Sequence, residues 1–195
     1  MSEKTEIVCV LDRSGSMATM GDEPIGGFNR FLKEQKEVEG EANMTLILFD
    51  DQYDLIHNGV NLKDVPDLTA ETYFPRGMTA LFDATGKTIR AVQERIAITN
   101  KEDRPDKVIC VILTDGLENA SKEYKGSDLT QMVKELEDKH NWEFIFMGCS
   151  QDSFKDAEDM GLSATASLGY VKSSAGLADG YAQMSRRAVK SRTKN

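Results

Sequence analysis

Two near-continuous apolar runs, Ile7–Leu11 and Val108–Leu113, limit what this chain can become. Runs of this kind read as strands buried on both faces, which is the condition of a parallel sheet covered by helices. Each run leads to an acid, Asp12 directly and Asp115 after Thr114. Strand and helix patterns take turns around them. Strands are predicted over Thr5–Leu11, Met44–Phe49, Tyr53–Val60, Lys107–Leu113, Trp142–Met147 and, weakly, Ala164–Leu168. Helices are predicted over Ile25–Gln35, Ala80–Ile98, Asp128–Lys139 with Ser127 as its cap, Asp152–Asp159 stopped by Gly161, and Ser173–Lys190. Ile25, Phe28, Phe31, Leu32 and Gln35 recur at helical spacing, as do Leu81, Thr85, Thr88, Ile89, Val92 and Ile96. Asp50-Asp51-Gln52 is short enough for a hairpin, so Tyr53–Val60 is expected to be antiparallel. The fold class is therefore α/β: a doubly wound, Rossmann-like, six-stranded and mostly parallel sheet, with one antiparallel edge strand and helices on both faces. The chain reads as one domain over residues 1–195.

In a doubly wound sheet the first strand lies beside the fourth, and ligands sit beyond the carboxyl ends of those strands. Asp12 ends the first strand here and Asp115 follows the fourth. Ser14 and Ser16 follow Asp12 at alternate positions, with Gly15 between them. Gly77-Met78-Thr79-Ala80 opens the helix that leads into the fourth strand, and adds another hydroxyl. Topology alone thus brings three separated segments to one place. Hard cations prefer such oxygens. For the first segment taken alone, a strand-to-helix turn in which Asp12 or a serine caps backbone N–H groups is the better reading, and only the two later segments favour a site.

Taken together, the three segments resemble the von Willebrand factor A domain, and their motifs look like its metal-ion-dependent adhesion site. That pattern is Asp-x-Ser-x-Ser, a distant Thr and a distant Asp, matched here by Asp12, Ser14, Ser16, Thr79 and Asp115. The resemblance covers nearly the whole chain. The runs Gly27-Phe28-Asn29-Arg30-Phe31-Leu32, Phe49-Asp50-Asp51-Gln52-Tyr53, Tyr73-Phe74-Pro75-Arg76-Gly77 and Thr114-Asp115-Gly116-Leu117-Glu118-Asn119 are similar to small, single-domain bacterial and phage versions.

The resemblance implies that Ser14 and Ser16 bind Mg²⁺ or Mn²⁺ through their hydroxyls. Thr79 would bind directly or through water, with Asp12 and Asp115 acting from behind. Mg²⁺ takes about six oxygens at roughly 2.0–2.1 Å. Mostly neutral ligands would leave it electrophilic, with one position suited to a partner's Asp or Glu. The function expected is a non-catalytic, metal-dependent protein-binding module. Met17, Met20, Met78, Glu118 and Asn119 are the candidate partner-contact rim, although the three methionines read equally as cover for the top of the domain.

An enzyme is the alternative. A metal with an open position can activate water or a phosphoryl group, and acids at two adjacent strand ends also resemble phosphohydrolases of the haloacid dehalogenase type. Those usually carry a second acid two residues after the first, where Ser14 stands here. His57, on the edge strand, and His140, after a helix, read as surface residues, so no general base is evident. Cys149 ends the strand next to the fourth and could approach the site, but a lone strand-end thiol is more often structural. Gly26-Gly27 does not follow a strand and is no phosphate cradle.

The whole chain carries −9 and its last eleven residues, Ser185–Asn195, carry +5, so the body is at −14. Such a body repels phosphate backbones, and nucleic acid is not expected as a ligand. The basic end reads as a solvated helix end or tail that suits the helix dipole. Glu41, Asp50, Asp51 and Asp54 read as turn chemistry and solvation. Cys9, Cys110 and Cys149 form an odd set without staple-like spacing. With no secretory signal and no membrane-spanning segment in view, they suggest a cytoplasmic protein with reduced thiols.

Overall fold

The computed structural model describes residues 3–194. Among these residues six strands form a single sheet: β1 (Thr5–Asp12), β2 (Ala42–Phe49), β3 (Tyr53–Asn61), β4 (Lys107–Leu113), β5 (Trp142–Gly148) and β6 (Ser167–Gly169). Their order is β3-β2-β1-β4-β5-β6. All neighbours pair in parallel except β2 and β3, which are antiparallel. Five α-helices among the described residues cover the faces: α1 (Glu23–Glu37), α2 (Leu81–Ile98), α3 (Gly126–Lys139), α4 (Gln151–Asp159) and α5 (Ser174–Arg192). The expected fold class is the observed one.

Period-two alternation sorts the strand residues into two cores. Ile7, Cys9 and Leu11 of β1, with Ile109, Val111 and Leu113 of β4, face α1 and α5. Val8 and Val10, with Val108, Cys110 and Ile112, face α2, α3 and α4. Because both faces are covered, β1 has no exposed position at all, which is why its sequence carries no polar alternation.

Three local expectations need correcting. Ser127 is not the cap of α3, since the helix already includes Gly126. Asp128 closes that end by accepting the Lys125 N–H at 2.9 Å. The first half of the expected strand over Ala164–Leu168 is a 3-10 turn at Ala164–Ala166, and β6 begins at Ser167. The basic end is not simply solvated. Helix α5 continues to Arg192 and buries Ser185, Ala188, Ser191 and Arg192 on one side. The Arg192 guanidinium donates to the Gln35 carbonyl at 2.6 Å, which ties α5 to α1. No helix among the described residues is long and apolar enough to cross a membrane.

Candidate functional site

The carboxyl ends of β1 and β4 lie side by side, with Leu11 level with Leu113, and the loops that leave them converge. Asp12 is fully buried and both its carboxylate oxygens are engaged. One accepts the Ser14 N–H at 2.6 Å and the other the Thr114 hydroxyl at 2.6 Å. Asp12 therefore fixes the start of the loop and bridges the two strand ends. Burial pushes its carboxyl up to about 6, against the lowering effect of those hydrogen bonds. Thr114 is a site residue that the motif does not name. Its only signal in the sequence was its place just before Asp115.

The hydroxyls of Ser14 and Ser16 lie 3.1 Å apart, and Ser16 donates to Asp115 Oδ1 at 2.5 Å. A Cβ built on Gly116 would stand 3.2 Å from Thr79 Oγ1 and 3.5 Å from Ser16 Oγ. All five motif residues thus meet in one place. Thr79 is held by a two-way clamp: its N–H donates to the Asn119 side-chain oxygen at 2.9 Å, and its carbonyl accepts the Asn119 N–H at 3.0 Å. Gly77 (φ +67°) carries this segment past Asp51, whose Oδ1 would lie 1.9 Å from any Cβ there, so only glycine fits. The Gly77 carbonyl then accepts the Gly15 N–H at 3.2 Å, joining the Thr79 segment to the serine loop.

Behind the loop runs a network built on Asp50 and Asp54, which local patterning presents only as turn acids. Asp50 is fully buried. Its Oδ2 accepts Arg13 Nε at 3.0 Å and Arg76 Nε at 2.7 Å, and its Oδ1 accepts the Gln52 N–H at 2.6 Å. Arg13 also pairs with Asp54. Both guanidiniums lie over the Phe74 ring, at 5.6 and 5.3 Å from its centroid. The turn between β2 and β3 thereby braces both Asp12-Arg13-Ser14 and Arg76-Gly77.

Met17 and Met20 are 0% exposed and belong to the core facing α1 and α5, so they cannot form a contact rim. The six-residue 3-10 turn Gly15–Met20 rolls them inward. Glu118 is occupied within its loop. It accepts the N–H groups of Phe82, Ala120 and Ser121 and the Ser121 hydroxyl, at 2.7–3.0 Å. Asn119 is exposed, yet its amide oxygen is committed to Thr79. Met78 stays at the surface at 56% exposure, joined there by Phe74 (44%) and Leu117 (46%), which the sequence reading did not select. Cys149 does approach the site, and its thiol donates to the Asp115 carbonyl at 3.2 Å. Burial raises its pKa, which keeps it a thiol and a poor nucleophile.

Among the described residues no group of three or more His, Cys, Asp or Glu side chains is placed to hold a metal. What the site offers is a hard-oxygen set of three hydroxyls and one buried carboxylate, with Gly116 leaving room beside Thr79 and Ser16. This donor chemistry fits Mg²⁺ or Mn²⁺.

No protein-family model and no curated protein matches the chain by sequence. Solved structures do match in fold. A von Willebrand factor type A protein from Catenulispora acidiphila aligns over 100% of this chain with a TM-score of 0.61 at 17% identity. The chain has the von Willebrand factor A fold. The von Willebrand domain of the type V pilus tip protein Mfa5 from Porphyromonas gingivalis aligns over 100% of this chain and 98% of its own length, with a TM-score of 0.64 at 11% identity. Proximal thread matrix protein 1 from the mussel byssus, in a structure with a zinc-occupied adhesion-site motif, aligns over 97% of this chain with a TM-score of 0.65 at 14% identity. The chain spans 44% of the Catenulispora protein and 46% of the mussel protein.

Proposed function

We propose that this chain is a divalent-cation-dependent protein-binding module that captures an acidic side chain of a partner protein. The observation that carries the reading is the convergence of Ser14, Ser16, Thr79 and Asp115 at the β1/β4 strand ends, with hydroxyls outnumbering carboxylates. In this reading Ser14, Ser16 and Thr79 hold Mg²⁺ or Mn²⁺, Asp115 orients Ser16, and Asp12 keeps the loop in place. The metal supplies a coordination position for an external carboxylate. The zinc-occupied motif in the mussel protein of the same fold supports a divalent ion in such a site.

The contact rim is Phe74, Met78 and Leu117, all exposed on the loops that carry the site. A partner acid flanked by apolar residues would match that surface. A body at −14 disfavours acidic chains that lack this match. Three unpaired cysteines support a reducing, cytoplasmic setting.

The phosphohydrolase alternative is less well supported. Both Asp12 oxygens serve the loop, accepting from Ser14 and Thr114, and Ser14 stands where a second acid is expected in that class. His140 lies just before β5, at the opposite end of the parallel strands, and His57 pairs with Leu46 partway along β3.

A panel of immobilised peptides, with Asp or Glu flanked by apolar, polar or basic residues, tests the reading. Binding should require Mg²⁺ or Mn²⁺, vanish in chelator and in Ser14→Ala, and favour apolar flanks. Binding that persists in chelator, or Mg²⁺-dependent turnover of generic phosphoesters lost in Asp12→Asn, overturns it.

A further inference from the structure

One charged side chain in the site belongs to no part of the motif. Lys172 lies in the bend between β6 and α5, and its ammonium stands 3.0 Å from Asp115 Oδ2 and 3.5 Å from the Asp115 carbonyl oxygen. The Asp115 side chain is fully buried. Its Oδ1 is taken by Ser16, whereas Oδ2 receives no aligned hydrogen bond. The Lys172 contact is thus an ion pair without hydrogen-bond alignment, and it provides the positive charge facing that oxygen. A buried carboxylate without one is costly.

The bend is pinned on both sides. Tyr170 donates its phenol to the Thr114 carbonyl at 3.1 Å. Ser173 caps α5, its hydroxyl oxygen accepting the Gly176 N–H at 3.0 Å. The chain turns so tightly here that a Cβ on Gly176 would stand 2.2 Å from the Val171 carbonyl oxygen. The lysine stem therefore leaves a fixed point beside the strand ends, and its 44% exposed side chain has room to swing out.

We propose that Lys172 is a tethered cation that competes with the divalent ion for Asp115 and so sets the affinity of the site. The inference rests on the metal reading above. With no metal bound, the ammonium neutralises the buried carboxylate and the loop closes on itself. When a divalent ion enters, two cations face one carboxylate. Either the ion pair opens or the charges repel, and both outcomes weaken metal binding. The site is then poised to load only where the metal is plentiful or where a partner's carboxylate supplies the missing negative charge.

The test combines titration calorimetry with MgCl2 and MnCl2 and thermal melts in chelator, on the wild-type chain and on Lys172→Met, Lys172→Arg and Ser14→Ala. Lys172→Met should bind the metal about tenfold more tightly, because a unit charge within a few ångströms is removed. It should also melt lower than wild type in chelator, because Asp115 loses its cation. Lys172→Arg keeps the charge and should restore both wild-type values. A purely structural lysine would lower the melt without tightening the metal. Should Lys172→Met fail to fold, Lys172→Gln serves in its place, since its amide still donates to Asp115. Equal or weaker metal affinity in the neutral variants, with binding still abolished by Ser14→Ala, overturns the role of Lys172 and leaves the metal site standing. Absence of binding in every variant overturns both. Binding by Lys172→Met alone is the strongest form of the expected result.

Discussion

Arg13 and Asp50 form a buried ion pair directly behind the candidate metal loop, with Nε to Oδ2 at 3.0 Å and neither side chain more than 2% exposed. Arg13 sits between Asp12 and Ser14, so the pair anchors the loop from within rather than decorating the surface. It differs in kind from a pair such as Lys139–Glu135 on the face of α3, whose side chains are 67% and 55% exposed. Exposed pairs contribute about 0–1 kcal/mol, whereas removing one partner of a buried pair costs roughly 3–5 kcal/mol.

Asp50→Ala should therefore lower stability by about 3–5 kcal/mol in denaturant melts, since it removes the buried carboxylate on Arg13 Nε and leaves Asp54 as the remaining acid on that guanidinium. Asp54 still pairs with Arg13, and Arg76 keeps solvent access, so the lower end of that range is expected. Glu135→Ala on α3 is the matched control and should change stability by well under about 1 kcal/mol. Similar midpoints for the two variants would refute the anchoring role.

Metal should stabilise the folded chain by mass action. At a free concentration of about 100 times the dissociation constant, the gain is about 2.7 kcal/mol. A rise in melting temperature with Mg²⁺ or Mn²⁺, absent in Ser14→Ala and Ser16→Ala, is the expected pattern. An equal rise in both serine variants would place the ion elsewhere.

The stabilisation should depend on pH. Burial holds the Asp12 carboxyl at about 6, against 3.8 for a free side chain. Between those values the folded, metal-free chain keeps a proton that the unfolded chain has released, so this group's contribution to metal-free stability falls as pH rises through the window. Metal binding favours the ionised form and runs the other way, weakening as pH drops below about 6. The melting-temperature gain from metal should shrink on going from about pH 7 to about pH 5. Asp12→Asn, which has nothing to titrate there, should lose that dependence.

What the sequence revealed and what it hid follow from range. The β1 and β4 runs were legible because strands covered on both faces carry an unbroken apolar signal. The five motif residues were legible because doubly wound topology brings the ends of those strands together. Met17 and Met20 were misread because six residues are too few to show a period, and their 3-10 turn decides which way they point. Ser185, Ala188 and Ser191 hid the packed side of α5, since small and polar residues give little hydrophobic signal amid five cations. Asp50 looked like a turn acid, and it is one through Gln52, but its partners Arg13 and Arg76 are far away in the chain. Lys172 is 57 residues from Asp115, and no local pattern could have joined them.

The Asn119–Thr79 clamp gives the most selective test of how the site is built. Asn119 donates its N–H to the Thr79 carbonyl and accepts the Thr79 N–H on its amide oxygen, so one side chain and one backbone group set where the threonine hydroxyl lies. Asn119→Ala removes only the side-chain half. Asn119 is exposed and Thr79 is buried, so the fold should lose about 1–3 kcal/mol, the range for a buried N–H left without a partner. Metal affinity should fall more than that loss implies, because Thr79 moves relative to Ser14 and Ser16. Asn119→Asp keeps an acceptor in place and should retain the geometry. Gly116→Ala attacks the same hydroxyl from the other side, with a methyl 3.2 Å from Thr79 Oγ1, and should weaken metal binding while leaving the melt in chelator nearly unchanged. If Asn119→Ala and Gly116→Ala both bind metal as tightly as wild type, Thr79 is not a ligand, and the ion would be held by the serine loop alone, with Asp115 behind Ser16.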